Sequence, residues 1–283
     1  MPVSDASPIS ELNLGGAMRF LASAIAVFAL CVGLGASSAL AEARVQIGYG
    51  EAGDDPNLAH ARDVIMKSHA LEELQAFLAP LRLPSDFTIQ AVTCGAERMV
   101  YDSGSKTATV CYEMIAKILG VVAAQTEASE QDKREAVVGT IVESMFHEVA
   151  YALFDLYKVP VWGRVEDAAD RFSALVMMKF GEDNARTTIL GAARFFAWSA
   201  RTWTGSDFSA VSAPEAQRFY NFLCIAYGGD PITFDNLASS GALPEYRAPQ
   251  CQREYAQIRD AFNLRLMPFV DPDRLVKARA RNW

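Results

Sequence analysis

The chain has 283 residues, 51% of them hydrophobic, and a formal charge of −8. These values suit a globular protein and exclude a disordered or collagen-like chain. Lys and Arg are scattered rather than gathered into a basic stripe, so nucleic acid is not an expected partner.

Residues 20–34, FLASAIAVFALCVGL, are continuously apolar, follow Arg19 and lead into Ala39-Leu40-Ala41, a small-x-small cleavage signal. This predicts a signal peptide over 18–41, cut after Ala41. Residues 1–17 carry Asp5 and Glu11 but no Lys or Arg, so they read as lying upstream of a true start at Met18. The apolar run is shorter than the roughly 20 residues of a spanning helix, and no comparable run follows, so no stable membrane span is expected after cleavage. A retained anchor and a lipid on Cys31 are the alternatives. For the lipid, Leu30 stands where a small residue belongs. The expected location is periplasmic or secreted, with residues 42–283 forming one domain.

After the cut, ARVQIGYG alternates as a strand and EAGDDPN ends it. A helix is predicted from about Leu58 to Leu81. SDFTIQAVTC and the hairpin RMVYDSGSKTATVCY then supply a small antiparallel sheet of three or four strands. From Glu113 onward the pattern is helical. Helices are predicted over 112–125, over 129–157 behind a Ser129-x-x-Asp132 start signal, and over 165–180. Others follow over 185–202, 214–227 and 248–262. The fold class is α+β, mostly helical with an N-terminal sheet and hairpin.

Cleavage leaves Cys94, Cys111, Cys224 and Cys251, which in an exported chain suggests two disulfides with three possible connectivities. Pairing of sequence neighbours is the simplest. A hairpin turning at Asp102-Ser103-Gly104-Ser105 brings Cys94 and Cys111 nearly opposite each other, and Cys224 with Cys251 would tie two C-terminal helices. Four free thiols are the alternative.

Residues 146–155, FHEVAYALFD, carry the chemistry. A helical His-Glu-x-x-His puts two imidazoles on one face for zinc, with the glutamate beside the first to hold the attacking water. Here the fourth position is Tyr151. Glu143, His147, Tyr151 and Asp155 recur every four residues in a helix that is apolar on most sides, so this polar row requires partners. Glu166 and Asp170 lie four apart on the next predicted helix. The connection KVPVWGR, with Pro160 and Gly163, lets the chain turn back so that they face His147 and Tyr151. On the plainest reading, His147 is a core histidine bonded to one of these carboxylates.

The segment FHEVAYALFDLYKVPVWGRVEDAADRFSAL resembles the core of a family of uncharacterised bacterial putative metallopeptidases, whose pattern is His-Glu-x-x-His followed by Glu-x-x-Ala-Asp. CYEM, LCIAYGGDP and LPEYRAPQCQREY are similar to it as well, so the resemblance covers most of the mature chain. It implies a zincin-like domain with zinc as cofactor and a peptide or protein as substrate or ligand. Carried over by position, it implies His147 and Glu166 as metal ligands, Glu148 as general base and Asp170 as the group that orients a ligating imidazole. Tyr151 replaces the second metal-binding histidine, with a phenol of reference pKa about 10. Two functions follow: a zinc peptidase that works despite Tyr151, or a pseudopeptidase acting as an envelope binding or assembly protein.

His60 and His69, the remaining histidines, are candidate substitute ligands. Arg164 is expected to pair with Glu166 or Asp167, or to steer a substrate carboxylate. Tyr246, Arg247 and Tyr255 offer donors for an oxyanion but have no fixed aim. Trp162, Trp198 and Trp203 read as core or groove-lining residues. No Gly-rich phosphate loop and no Gly-x-Ser-x-Gly elbow is present, so nucleotide-dependent and serine-hydrolase chemistry lack support.

Overall fold

The computed structural model describes residues 43–202 and 210–280. The export segment read over 18–41, Cys31 and Trp203 lie outside the described residues.

Strand β1 (Val45–Tyr49) is followed by two helices, α1 (Pro56–Lys67) and α2 (Ala70–Leu78), where the apolar spacing predicts one. The break has a local cause. His69 sits at φ 53°, in the left-handed region, and the Ser68 hydroxyl turns back onto the Ile65 carbonyl at 2.9 Å. The chain is thereby redirected, and α2 buries Leu71, Leu74 and Leu78. Strands β2 (Phe87–Val92), β3 (Met99–Asp102) and β4 (Thr107–Cys111) complete a four-stranded sheet of order β1-β2-β4-β3.

The sheet is mixed rather than antiparallel. β1 pairs with β2 and β2 with β4 in parallel, and only the β3–β4 hairpin is antiparallel. A parallel pair needs a crossover connection, and α1 with α2 supplies it between β1 and β2. β4 enters between β2 and β3, which leaves β3 on an edge. At the hairpin turn, the Asp102 carboxylate accepts the Ser105 N–H at 2.7 Å.

The rest is helical: α3 (Tyr112–Ala123), α4 (Glu130–Leu156), α5 (Val165–Met177), α6 (Glu182–Ala185), α7 (Gly191–Ser199), α8 (Glu215–Gly229), α9 (Asp235–Ser239), α10 (Ala248–Arg265) and α11 (Pro272–Ala280). A π-helical turn, Arg186–Leu190, leads into α7. Helix α4 starts as its sequence predicts, with the Ser129 hydroxyl accepting the Asp132 N–H at 3.1 Å. It runs through the centre of the molecule, with α3, α5, α7 and the hairpin packed around it. Its length and composition would suit a membrane span, yet 72% of that apolar window is buried inside the fold, so it is a core helix.

Two glycines set the approach of α7 to α4. A Cβ on Gly191 would lie 2.0 Å from the Glu135 carbonyl oxygen, and one on Gly139 would lie 2.2 Å from that of Thr188. The two backbones therefore touch. Arg194 clamps the crossing with ion pairs to Asp132 at 2.8 Å and Glu135 at 3.1 Å.

Disulfides join Cys94 to Cys111 and Cys224 to Cys251, the sequence-neighbour pairing. The first closes the sheet where β4 runs into α3, and the second ties α8 to α10. Two such bonds are the chemistry of an oxidising compartment.

Candidate functional site

Lys158 at φ 51° and Gly163 at φ 98° turn the chain between α4 and α5, so the two helices pack side by side. Helix α4 contributes Glu143, His147, Glu148 and Tyr151, and α5 contributes Glu166, Asp170 and Ser173.

The predicted partners meet. His147 Nδ1 lies 2.8 Å from Asp170 Oδ1, and its Nε2 lies 3.3 Å from Glu166 Oε2. The Tyr151 hydroxyl donates to Glu166 Oε1 at 2.5 Å, and the Ser212 hydroxyl donates to Oε2 at 3.0 Å. Asp155 is in the same row but leaves the cluster. Each step of four residues advances about 40° around a helix, so three steps carry Asp155 about 120° from Glu143. There it accepts bonds from Tyr101 at 2.8 Å and Lys106 at 2.6 Å, which pins the hairpin to α4.

Arg218, from α8, completes the cluster. Its Nε and Nη2 each donate to Asp170 at 2.9 Å, and Nη2 also donates to Glu143 Oε1 at 3.1 Å. The guanidinium stacks 4.1 Å from the Phe196 ring centroid. The Ser173 hydroxyl donates to the Asp170 main-chain carbonyl at 2.9 Å and so steadies the turn of α5 that carries Asp170. Sequence reading missed Arg218, Ser212 and Ser173. For Arg218 a signal existed: it precedes the buried Phe222 and Ile225 by four and seven residues, in phase with the buried stripe of α8.

The charges are mutually held. The hydrogen bond from His147 holds the Glu166 carboxyl at about 2 against the effect of burial, with Tyr151 assisting. Burial would raise Asp170, but the Arg218 charge and the His147 bond bring it down to about 2. Burial would lower His147, but its bonds to Asp170 and Glu166 raise it to about 10, so at neutral pH it is an imidazolium with both nitrogens donating. Burial, then donation to Glu166, pushes the Tyr151 phenol far above its ordinary range. Glu148 faces the edge strand, where the Tyr101 main-chain N–H reaches it. Burial lifts its carboxyl to about 7, with the His147 charge opposing and the Glu166 and Glu143 charges adding.

Zinc takes lone pairs from a neutral imidazole, carboxylates or thiolates, and these must be free of protons. Here Tyr151 is a hydrogen-bond donor, and the Glu166 oxygens are already taken up by three neighbours, the Tyr151 and Ser212 hydroxyls and His147 Nε2. This donor set does not fit a catalytic zinc. On the Nδ1 side, Glu143, His147 and Asp170 also gather closely, but the Arg218 guanidinium fills the position a cation would take.

The cluster predicts a pH window for stability. Glu166 and Asp170 are depressed, so their contribution is complete above the unfolded values of 4.5 and 3.8 and is lost as pH falls toward 2. His147 is raised, so its contribution is complete below 6.5 and is lost as pH rises through about 10. The stability difference between the protein and His147→Gln should therefore be flat between about pH 4.5 and 6.5 and shrink on either side. Urea titrations across pH 3–10 measure it; a difference that grows with pH would contradict the assignment of charge.

The remaining candidates lie elsewhere. His60 and His69 are exposed, and His60 lines a separate surface groove beside Asp55 and Glu97. Arg164 is exposed and pairs with neither Glu166 nor Asp167 among the described residues. Arg247 is bound by Glu254, Tyr255 accepts from Lys179 at 3.2 Å, and Tyr246 is exposed, so none of the three aims at the cluster. Trp198 is a core residue, whereas Trp162 stands 96% exposed at the mouth of a groove.

A family model described as "Putative metallopeptidase" matches residues 49–266. No curated protein and no solved structure gives a match.

Proposed function

The chain belongs to the family of putative metallopeptidases, and from that premise we propose that it is a pseudopeptidase, a member that keeps the scaffold without the metal and serves as a binding or assembly protein in the periplasm or outside the cell. One observation carries this reading: the Tyr151 hydroxyl donates to Glu166 Oε1 at 2.5 Å, where the family pattern has a second imidazole. A hydroxyl that keeps its proton and points it at the neighbouring ligand position competes with a metal at both places. Arg218 and the His147 imidazolium supply positive charge to the buried carboxylates in its place. Location outside the cytoplasm is supported by the two disulfides and by the export segment read in the sequence.

A second reading, zinc-dependent peptide hydrolysis with Glu148 as base, is favoured by the Glu148 carboxyl standing near 7, where a base exchanges protons readily at neutral pH.

Elemental mass spectrometry of the purified protein beside its Tyr151→His variant separates the two. The expected result is far less than one zinc per chain in the unmodified protein and close to one in the variant. A stoichiometric zinc in the unmodified protein would refute the pseudopeptidase reading. Peptide cleavage that disappears in Glu148→Gln would then be the next observation to seek.

A further inference from the structure

On the opposite side of α5 from the charged cluster, α5 and α10 leave a groove of 390 Å³, within the range of small-ligand sites. Its lining follows from helical spacing. α5 presents Ala168, Phe172 and Leu175 at steps of four and three, and α10 presents Ile258 with Ala261 and Phe262 three and four residues on. The floor is aromatic, with Phe154 and Phe172 at 6.2 Å and Phe172 and Phe262 at 5.9 Å between ring centroids. The α4–α5 connection closes one end with Val161 and Trp162, and Leu264, 69% exposed, stands on the other wall.

Two polar side chains line this surface, Arg171 and Arg265. Both are exposed, and neither has an ion-pair or hydrogen-bond partner among the described residues. Glu254, which feels the Arg171 charge, is already held by Arg247. In a chain of net charge −8, two unpaired guanidiniums beside one apolar groove are a local excess of positive charge. A buried peptide backbone would bring N–H and C=O groups that this lining cannot pair. An alkyl chain brings none, and a carboxylate at its end matches the guanidinium fork.

We propose that this groove binds a free long-chain carboxylic acid, with the alkyl chain on the aromatic floor and the carboxylate at Arg171 and Arg265. The site is separate from the Tyr151 cluster and does not depend on whether a metal binds there.

The test is titration of the purified protein with octanoate, decanoate and dodecanoate, followed by calorimetry and by tryptophan emission, with Trp162→Phe identifying the responding indole. Affinity should rise about three- to fourfold for each added methylene. Dodecanoate should bind at least about tenfold more tightly than dodecyltrimethylammonium, the difference between a paired and a repelled head group. The exposed double substitution R171Q/R265Q should weaken dodecanoate by about tenfold or more and leave dodecanol unchanged. Circular dichroism of the double variant checks that it is folded. No binding, equal affinity for the cationic amphiphile, or indifference to R171Q/R265Q would overturn the proposal. So would capture of an acidic, leucine-rich helical peptide without uptake of dodecanoate, which would assign the groove to a protein partner.

Discussion

Replacing Arg218 with leucine is expected to remove about 3–5 kcal/mol of folding stability, the usual consequence of stripping one partner from a buried ion cluster. Asp170 and Glu143 are buried, and Arg218 donates to both. Without it, the buried Asp170 would lose its strongest counter-charge, and Glu143, whose carboxyl burial pushes up, would lose the cation that opposes that shift, in a medium that stabilises isolated charge poorly. For a protein whose total stability is about 5–15 kcal/mol, that is a large fraction. Urea unfolding at pH 7 measures the loss. Arg218→Lys should fall between the two, since it keeps the charge but cannot span both carboxylates with a rigid fork. The deficit of the leucine variant should narrow on acidification, because an Asp170 released from Arg218 takes up a proton more readily. A loss below about 1 kcal/mol at pH 7 would mean that Arg218 is not what neutralises the cluster.

Gly191→Ala should be nearly as damaging, although alanine is the better helix former by about 1 kcal/mol. The added Cβ would lie 2.0 Å from the Glu135 carbonyl oxygen, and a backbone atom cannot rotate away as a side chain can. Helices α4 and α7 would have to separate along their crossing, stretching the Arg194 ion pairs and opening the core beneath them. A cost of about 3 kcal/mol or more is expected. The control is Gly120→Ala in α3. No heavy atom lies within 4 Å of a Cβ there, so the same substitution should stabilise by about 0.5–1 kcal/mol. Similar changes in both variants would show that propensity, not contact, decides at Gly191.

These two glycines also mark the limit of what could be read from the sequence. The Ser129 cap, the start of the central helix, the neighbour disulfides and the meeting of His147 with Glu166 and Asp170 depend on spacings of a few residues or on one short connection, and all were legible. The parallel strands were not. Their direction is set by how the chain crosses over, through α1 and α2 between β1 and β2, and the β1 and β2 patterns do not state a direction. The break at His69 escaped because an exposed residue in the left-handed region leaves the apolar spacing nearly intact. In the cluster, the acidic side was visible within thirty residues, but its counter-charge comes from Arg218, 48 positions beyond Asp170. Long-range ion pairs leave only a requirement in the sequence, that some cation must arrive, without saying which one.

The disulfide pattern bears on how the molecule matures. Each bond joins cysteines consecutive in the chain, 17 and 27 residues apart. A polypeptide emerging N-terminus first presents Cys94 and Cys111 long before Cys224 exists outside the ribosome or channel. Among the cysteines of the described residues, oxidation in order of appearance therefore yields the native set directly, with Cys224 left to meet Cys251. No crossed intermediate has to be formed and undone, so the covalent framework can be complete before α4 has found its place among the helices around it.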